Sequence, residues 1–266
     1  VDACCQLMTP LNDALYSYVM NTRKVHTDDT PVKVLAPGRK KAKTGYIWTY
    51  VRDDRNAGSP EPPAVWFAYS PDHQGKHPEQ HLRPFRGILQ ADAFAGYDRL
   101  FSAEREGGAL TEAGCWAHAR RKIHDVYIST KSATAEEALK LIGELYAIEH
   151  EIRGLPVSER LAVRQQRSKA LLTSLHEWMV EKNGTLSKKS RLGEAFSYVL
   201  NQWDALCYYS DDGLAEADNN AAERALRAVC LGKKNFMFFG SDHGGERGAL
   251  LYGLIGTCRL NGIDPE

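Results

Sequence analysis

The sequence has no surplus of charge, few cysteines and no long apolar run. Its 34 Lys and Arg balance 34 Asp and Glu, so the formal charge is zero. On its face that argues against nucleic acid as a partner, because nucleic-acid-binding domains are usually basic. The longest nearly charge-free stretch runs from Gly248 to Cys258. A bilayer needs roughly 20 apolar residues, so no membrane span is expected. Six cysteines, Cys4, Cys5, Cys115, Cys207, Cys230 and Cys258, are too sparse for a disulfide-stapled secreted scaffold and read as reduced thiols of a cytoplasmic protein. They form no paired CxxC motif, so a four-ligand zinc site has no support. The start lacks a basic segment followed by an apolar run, so no signal peptide is expected. Val in place of Met at position 1, and an opened turn over residues 261–266, suggest a portion of a longer protein. Internal repeats and low-complexity tracts are absent as well.

What is present is the material of a folded domain. Apolar residues make up 43% of 266, with 8 Phe, 12 Tyr and 5 Trp, which excludes disorder as the main theme and allows a sizeable core. Residues 1–24 have a helical period, with Leu7, Leu11, Leu15, Tyr18 and Val19 near one face, and predict an N-terminal helix. From Val25 the pattern changes. Short runs rich in β-branched and aromatic residues at Val32–Leu35, Tyr46–Val51 and Ala64–Tyr69 are bounded by Gly, Pro and Asn clusters, and predict three strands in a meander. A short helix over Pro78–Phe85, a buried strand over Gly87–Asp92, a helix over Tyr97–Ala103, a fifth strand over Glu112–Trp116 and a helix over Ala117–Ser129 follow. Residues 133–206 differ in character. Leu139, Ile142, Leu145, Ile148 and Ile152, then Leu171, Leu172, Leu175 and Met179, keep helical spacing with no strand signal between them. The expected fold is α/β, a mixed sheet flanked by helices. Its core spans 25–132 and 207–266, with an all-helical insertion at 133–206 between the fifth strand and a late helix.

Three acids sit where such a sheet could gather them: Asp28 at the head of the first strand, Asp92 at the end of the fourth, and Glu223 opening the late helix. Carboxylates are what Mg²⁺ requires, since it is a hard ion that takes oxygen ligands and keeps waters for a phosphate. A plainer account exists for each. Asp28 or Asp29 could cap a turn before Pro31, and Asp92 before Gly96 could be a loop residue. Glu223 could close a capping box on Asn220 and pair with Arg227.

Several strings resemble one family. They are His26–Val32, Gly45–Asp53, Leu89–Tyr97, Cys115–Lys122, Asp218–Arg227, Gly232–Asn235, Gly240–Arg247 and Thr257–Gly262. Together, in this order, they resemble the DDE transposases of insertion-sequence family sixty-six, over about Val25 to Pro265. The resemblance implies a ribonuclease H-like fold and a catalytic set Asp28, Asp92 and Glu223, with Asp29 as a rival for the first position. It implies two Mg²⁺ or Mn²⁺ ions per site that activate the nucleophile. The reaction implied is cleavage of double-stranded DNA at transposon ends and strand transfer into target DNA. A homo-oligomer in the synaptic complex and a bacterial, cytoplasmic, nucleoid-associated location follow from the same resemblance. It also points to Cys115 and His118 as an accessory pair, for which a buried thiol and a satisfied histidine are the competing account. Two rival functions stay open: a non-catalytic DNA-binding or dimerisation module of the same fold, and a related metal-dependent nuclease that cuts without rejoining.

Read by position, the zero net charge hides basic clusters. These are Lys33, Arg39, Lys40, Lys41 and Lys43; Arg120, Arg121 and Lys122; Lys188, Lys189 and Arg191; and Arg224, Arg227, Lys233 and Lys234. Solvated faces explain such runs by default. The second and fourth follow the proposed site elements and are candidates for holding DNA phosphates. The glycines of Gly240–Gly248 read either as a plain turn or as a place for close approach to DNA, and Trp116 and Trp203 as core.

Overall fold

The computed structural model describes residues 1–266 apart from Pro37, Arg39, Lys40 and Lys188, so the basic residues expected at 39, 40 and 188 lie outside the described residues. The chain divides into two compact units. Unit 1 comprises residues 1–53, 61–111 and 220–266, and unit 2 comprises 54–60 and 112–219.

Unit 1 is built on a mixed sheet whose five strands run in the order β3-β2-β1-β4-β5. Strands β1 (Lys24–Val34), β2 (Lys43–Arg52) and β3 (Ala64–Ser70) form the expected antiparallel meander, and β4 (Ile88–Gln90) lies parallel to β1. The fifth strand, β5 (Thr111–Ala113), starts as the chain leaves unit 1, where the Thr111 amide donates to the Gly87 carbonyl. The first strand is longer than the residue pattern suggests because Pro31 sits inside it. A proline is tolerated there because β4 stops opposite His26, so the β4 side of β1 needs no amide donor at position 31. The account of Asp28 or Asp29 as a turn cap before Pro31 is thereby overturned: both are interior strand residues, paired with Thr49 and Trp48 of β2. Gly87, at φ +138°, enters β4 so close to the Arg23 carbonyl that a side chain would collide with it.

Alternation sorts the two faces of the sheet. Val32, Val34, Ile47, Val51, Val65 and Phe67 bury one face, together with Ala222, Leu226 and Val229 of α9 (Asn220–Phe236) and Ala249 of α10 (Asp242–Leu260). Val25, Trp48, Tyr50, Ala64 and Ala68 bury the other, together with Leu15, Val19 and Met20 of α1 (Asp2–Met20). The N-terminal helix is present, but Leu7 and Leu11 of its expected face are exposed. Of the segments after β3 and β4, the first, α2 (Lys76–His81), is shorter than expected, and the second is a 3₁₀ stretch over Ala95–Phe101 in place of an α-helix. Most of the Gly240–Gly248 string forms the first turns of α10 rather than a plain turn. Ser241 caps α10 through its hydroxyl, which accepts from the Gly244 amide, and Gly245 and Gly248 let the helix settle onto Tyr69 and Phe239.

Unit 2 is helical apart from the end of β5. It holds α3 (Trp116–Thr130), α4 (Ala133–Glu151), α5 (Val157–Val163), a π-helical turn over Arg164–Ser168, α6 (Lys169–Thr185), α7 (Arg191–Asn201) and α8 (Trp203–Cys207). Trp116, expected to end the fifth strand, instead opens α3. It is buried edge-on against Trp203, and its indole donates to the Leu206 carbonyl at 2.8 Å. Ser132 and Ser190 cap α4 and α7. Ile142, Leu145, Ile148, Leu172, Leu175, Met179, Phe196 and Val199 form the interior, as the helical spacing of the middle segment predicts.

Candidate active site

The parity of β1 decides which way its two aspartates point. Asp28 shares its face with Thr30, Val32 and Val34, the face covered by α9. Two contacts fix that assignment: Thr30 Oγ1 lies 3.6 Å from Cys230 Sγ, and Lys233 Nζ donates to Thr30 Oγ1 at 2.7 Å and to the Pro31 carbonyl at 3.0 Å. Asp29 points to the opposite face, where its Oδ1 meets His73 Nε2 at 2.9 Å. Register carries the second acid to the same place as the first. His26 pairs with Gln90 across the parallel β1/β4 ladder, and Asp28 and Asp92 each stand two residues further along. Asp92 itself lies just past the strand, in irregular backbone, so its reading as a loop residue and its reading as a strand-end acid describe one position. Glu223 sits on the first turn of α9, one residue from Ala222, which is buried on the sheet.

All three acids are half-buried. Burial, opposed by a hydrogen bond from the Asp29 amide at 2.8 Å, and the negative charges of Asp92, Asp29 and Glu223 together push the Asp28 carboxyl up to about 7. Burial also raises Asp29, against the hydrogen bond from His73. Unit 1 thus gathers like charges on one face of its sheet, beside the end of β4. Carboxylates are the oxygen donors that a hard divalent cation takes, and a cation near Asp28 would offset the charges that act on it.

The remaining candidates are distributed as follows. Lys233 is held against β1 as described, whereas Arg227 and Lys234 are exposed on α9. Arg120, Arg121 and Lys122 are exposed on α3 in unit 2, with Lys122 Nζ 4.3 Å above the Tyr198 ring. Cys115, just before α3, is buried, accepts from the Asn219 amide at 3.2 Å and has its thiol pushed up to about 12 by burial. His118 is half-buried on the first turn of α3.

Sequence reasoning passed over His73. Its imidazole is sandwiched between Tyr46 and Phe94, with ring centroids 4.1 Å away on each side and interplanar angles of 7° and 19°. A histidine in the Pro71–Gly75 turn has no motif of its own. The signal available was Phe94, an aromatic two residues after an acid in a segment too irregular for strand or helix.

The sequence profile of the Transposase IS66 family matches residues 1–247. Among curated relatives, the uncharacterized protein y4hP of Sinorhizobium fredii is 41% identical over 271 residues, covering 97% of this chain and 49% of the relative. The uncharacterized protein y4qI of the same organism is 37% identical over 258 residues, covering 96% of this chain and 48% of the relative. The uncharacterized protein YuaK of Escherichia coli is 51% identical over a short stretch of 37 residues, 14% of this chain and 39% of that one. The chain spans about half the length of the first two of these relatives. With the family profile covering nearly the whole chain and relatives well above 30% identity over almost all of it, the chain belongs to the IS66 family of transposases.

Proposed function

We propose that this chain is the catalytic part of a DDE transposase, cutting double-stranded DNA at transposon ends and joining the freed 3′ end to target DNA. What supports the reading is that Asp28 stands on the α9 face of the sheet and that the charges of Asp92 and Glu223 add to burial in raising it. The strand order β3-β2-β1-β4-β5, antiparallel through β1 and parallel at β1/β4, supports a ribonuclease H-like core. We read the helices of 133–206 as an insertion between the fifth strand and the helix bearing Glu223.

Asp28, Asp92 and Glu223 would hold two Mg²⁺ or Mn²⁺ ions, which when bound polarise the scissile phosphate and the attacking oxygen. The protein's own part is positional. The paired strand β1 fixes Asp28, the end of β4 sets Asp92 beside it, and the first turn of α9 brings Glu223 over both. In the first step a water oxygen displaces the 3′ oxygen at phosphorus, leaving a 3′-OH and a 5′-phosphate. In the second, that 3′-OH displaces a bridging oxygen of target DNA. Exposed Arg227 and Lys234 on α9, and Arg120, Arg121 and Lys122 on α3, would neutralise phosphates without reading bases. Synapsis of two ends calls for a homo-oligomer.

The test is Asp92→Asn, assayed on end-bearing duplex in Mg²⁺. Cleavage should vanish while duplex binding stays; undiminished cleavage rules out the assignment. Cleavage that persists to a 3′-OH without any joined product in a strand-transfer assay would favour the nuclease alternative.

A further inference from the structure

The segment that carries Asp92 is held by something other than strand pairing. Strand β4 ends at Gln90, and Ala91–Phe94 has no regular backbone structure. What meets this segment is the turn after β3. His73 stacks on Phe94 at 4.1 Å and, through its other ring face, on Tyr46 of β2 at 4.1 Å. Its Nε2 lies 2.9 Å from Asp29 Oδ1, which sets the rotation of the ring in its plane. Trp48 packs against the same imidazole at 5.4 Å and stands edge-on to Tyr97 at 6.4 Å. Two positions on, Gly75 approaches Gly96 so closely that a Cβ on Gly75 would lie 2.6 Å from the Gly96 carbonyl oxygen.

The turn is itself braced. Trp48 Nε1 donates to Ser70 Oγ at 2.7 Å, Ser70 Oγ donates to the Asp72 carbonyl at 2.6 Å, and the Asp72 carboxylate takes His77 Nε2 at 2.6 Å. The Pro71–Gly75 turn is therefore fixed to the sheet at one end and pressed on the Asp92 segment at the other. One imidazole touches both the neighbour of the first acid and the residue two places beyond the second.

We propose that His73 is a positioning residue of the metal site. By stacking on Phe94 it steadies the segment that carries Asp92, and by engaging Asp29, which strand parity places on the opposite face from Asp28, it ties that segment to β1. Such outer contacts orient ligands without touching the ion, and losing one weakens a site that stays chemically complete. The inference rests on the metal-site reading above.

Its test uses the full 266-residue chain and Mn²⁺ as the probe, titrated by calorimetry well below the unfolding temperature, with thermal unfolding in EDTA run alongside. His73→Ala should weaken Mn²⁺ binding about tenfold, the lower end of what outer-contact losses cost, at a temperature where the variant is fully folded. His73→Phe keeps a ring against Phe94 and should recover most of that loss. Phe94→Leu removes the stack from the other side, should match His73→Ala, and decides the question if the alanine variant does not fold. Unchanged Mn²⁺ affinity in the folded His73→Ala or Phe94→Leu protein overturns the inference. Asp92→Asn is the control. If it too leaves Mn²⁺ binding unchanged, the metal reading of the three acids falls, and the role of His73 falls with it.

Discussion

The two units of the chain both bury charge, and they treat it in opposite ways. In unit 2, Arg160 and Arg164 are almost wholly inaccessible. The Arg160 guanidinium meets Glu216 through two bonds of 3.2 and 3.0 Å. Arg164 meets Glu149 through two of 2.8 and 2.6 Å and donates to the carbonyls of Tyr209, Asp212 and Ala215. Both guanidinium groups have an opposite charge beside them, in the fork geometry that suits arginine. In unit 1, Asp28, Asp92 and Glu223 have one another's negative charges as neighbours, and burial together with those charges pushes Asp28 to about 7. Buried groups that satisfy one another serve the fold. A carboxyl raised by burial and like charges is the kind of group that functional sites gather.

The largest effect should come from breaking the satisfied cluster. Arg164→Met removes both short bonds to the Glu149 carboxylate, leaving it only Arg160 at 3.8 Å, and takes a donor from three carbonyls, at a cost of about 3 kcal/mol. Hydrogen exchange of α4 and α6 peptides in urea should register that loss in unit 2. An equal loss confined to β1 and β2 would contradict the division of the chain into separately satisfied units.

The converse test relieves the repelling cluster. Asp28 is raised from 3.8 to about 7 in the folded state, so folded protein binds the extra proton more tightly than unfolded chain. The associated stability is fully present below pH 3.8 and is lost as pH rises through about 7. His81, buried behind Tyr50, works the other way: burial first, then the neighbouring His77 charge, lowers it from 6.5 to about 4. Its contribution is present above pH 6.5 and is lost as pH falls through about 4. The two slopes oppose each other within unit 1. Asp28→Asn should therefore stabilise unit 1 by about 2–4 kcal/mol at about pH 8 without metal, and should unmask a stability that climbs between pH 4 and 6.5. Mg²⁺ should stabilise the parent chain more at about pH 8 than at about pH 5, and should lose that preference in the variant. Urea midpoints across pH, with and without Mg²⁺, measure both effects.

These contrasts also show what the residue pattern could carry. The meander was legible because Tyr46–Val51 and Ala64–Tyr69 combine aromatic and β-branched residues between turn signals. The helices of the middle segment were legible because Ile142, Leu145 and Ile148 keep one period. The three acids could be named from a family resemblance. The same resemblance preferred Asp28 to Asp29; that the two occupy opposite faces of the sheet is seen only in the β1/β2 register. His73 stayed hidden because its partners, Asp29, Tyr46 and Phe94, are far from it in sequence and meet only when β1, β2 and the Asp92 segment are assembled. The glycines near Gly245 were misread for a similar reason: what they accommodate is Tyr69, a side chain from β3.

Gly245 offers a smaller test of the same contrast. A Cβ there would lie 2.5–2.8 Å from the Tyr69 ring, whose hydroxyl is tied at 2.5 Å to Asp242, itself paired with Lys43 at 2.5 Å. The ring cannot swing away without breaking that bond. Gly245→Ala should cost unit 1 about 1–3 kcal/mol through overpacking, read as a lower urea midpoint for the α10 and β3 peptides.

The smallest expected effect has the opposite sign. Gly143 lies in the interior of α4, on its exposed side, with nothing within 4 Å of where a Cβ would stand. The same substitution there meets no neighbour and removes only the backbone freedom that a glycine gives the unfolded chain, so Gly143→Ala should stabilise unit 2 by about 1 kcal/mol. Because α4 and α7 are bounded by their own serine caps and packed through one apolar stripe, a propensity gain on the exposed side should add to the stability of α4 without disturbing the Arg164 cluster behind it. A stabilisation that persists undiminished in the Arg164→Met background would establish that independence. A gain that disappears there would mean that the helix and the charge cluster unfold as one element, and that the satisfied ion pairs set the order of α4.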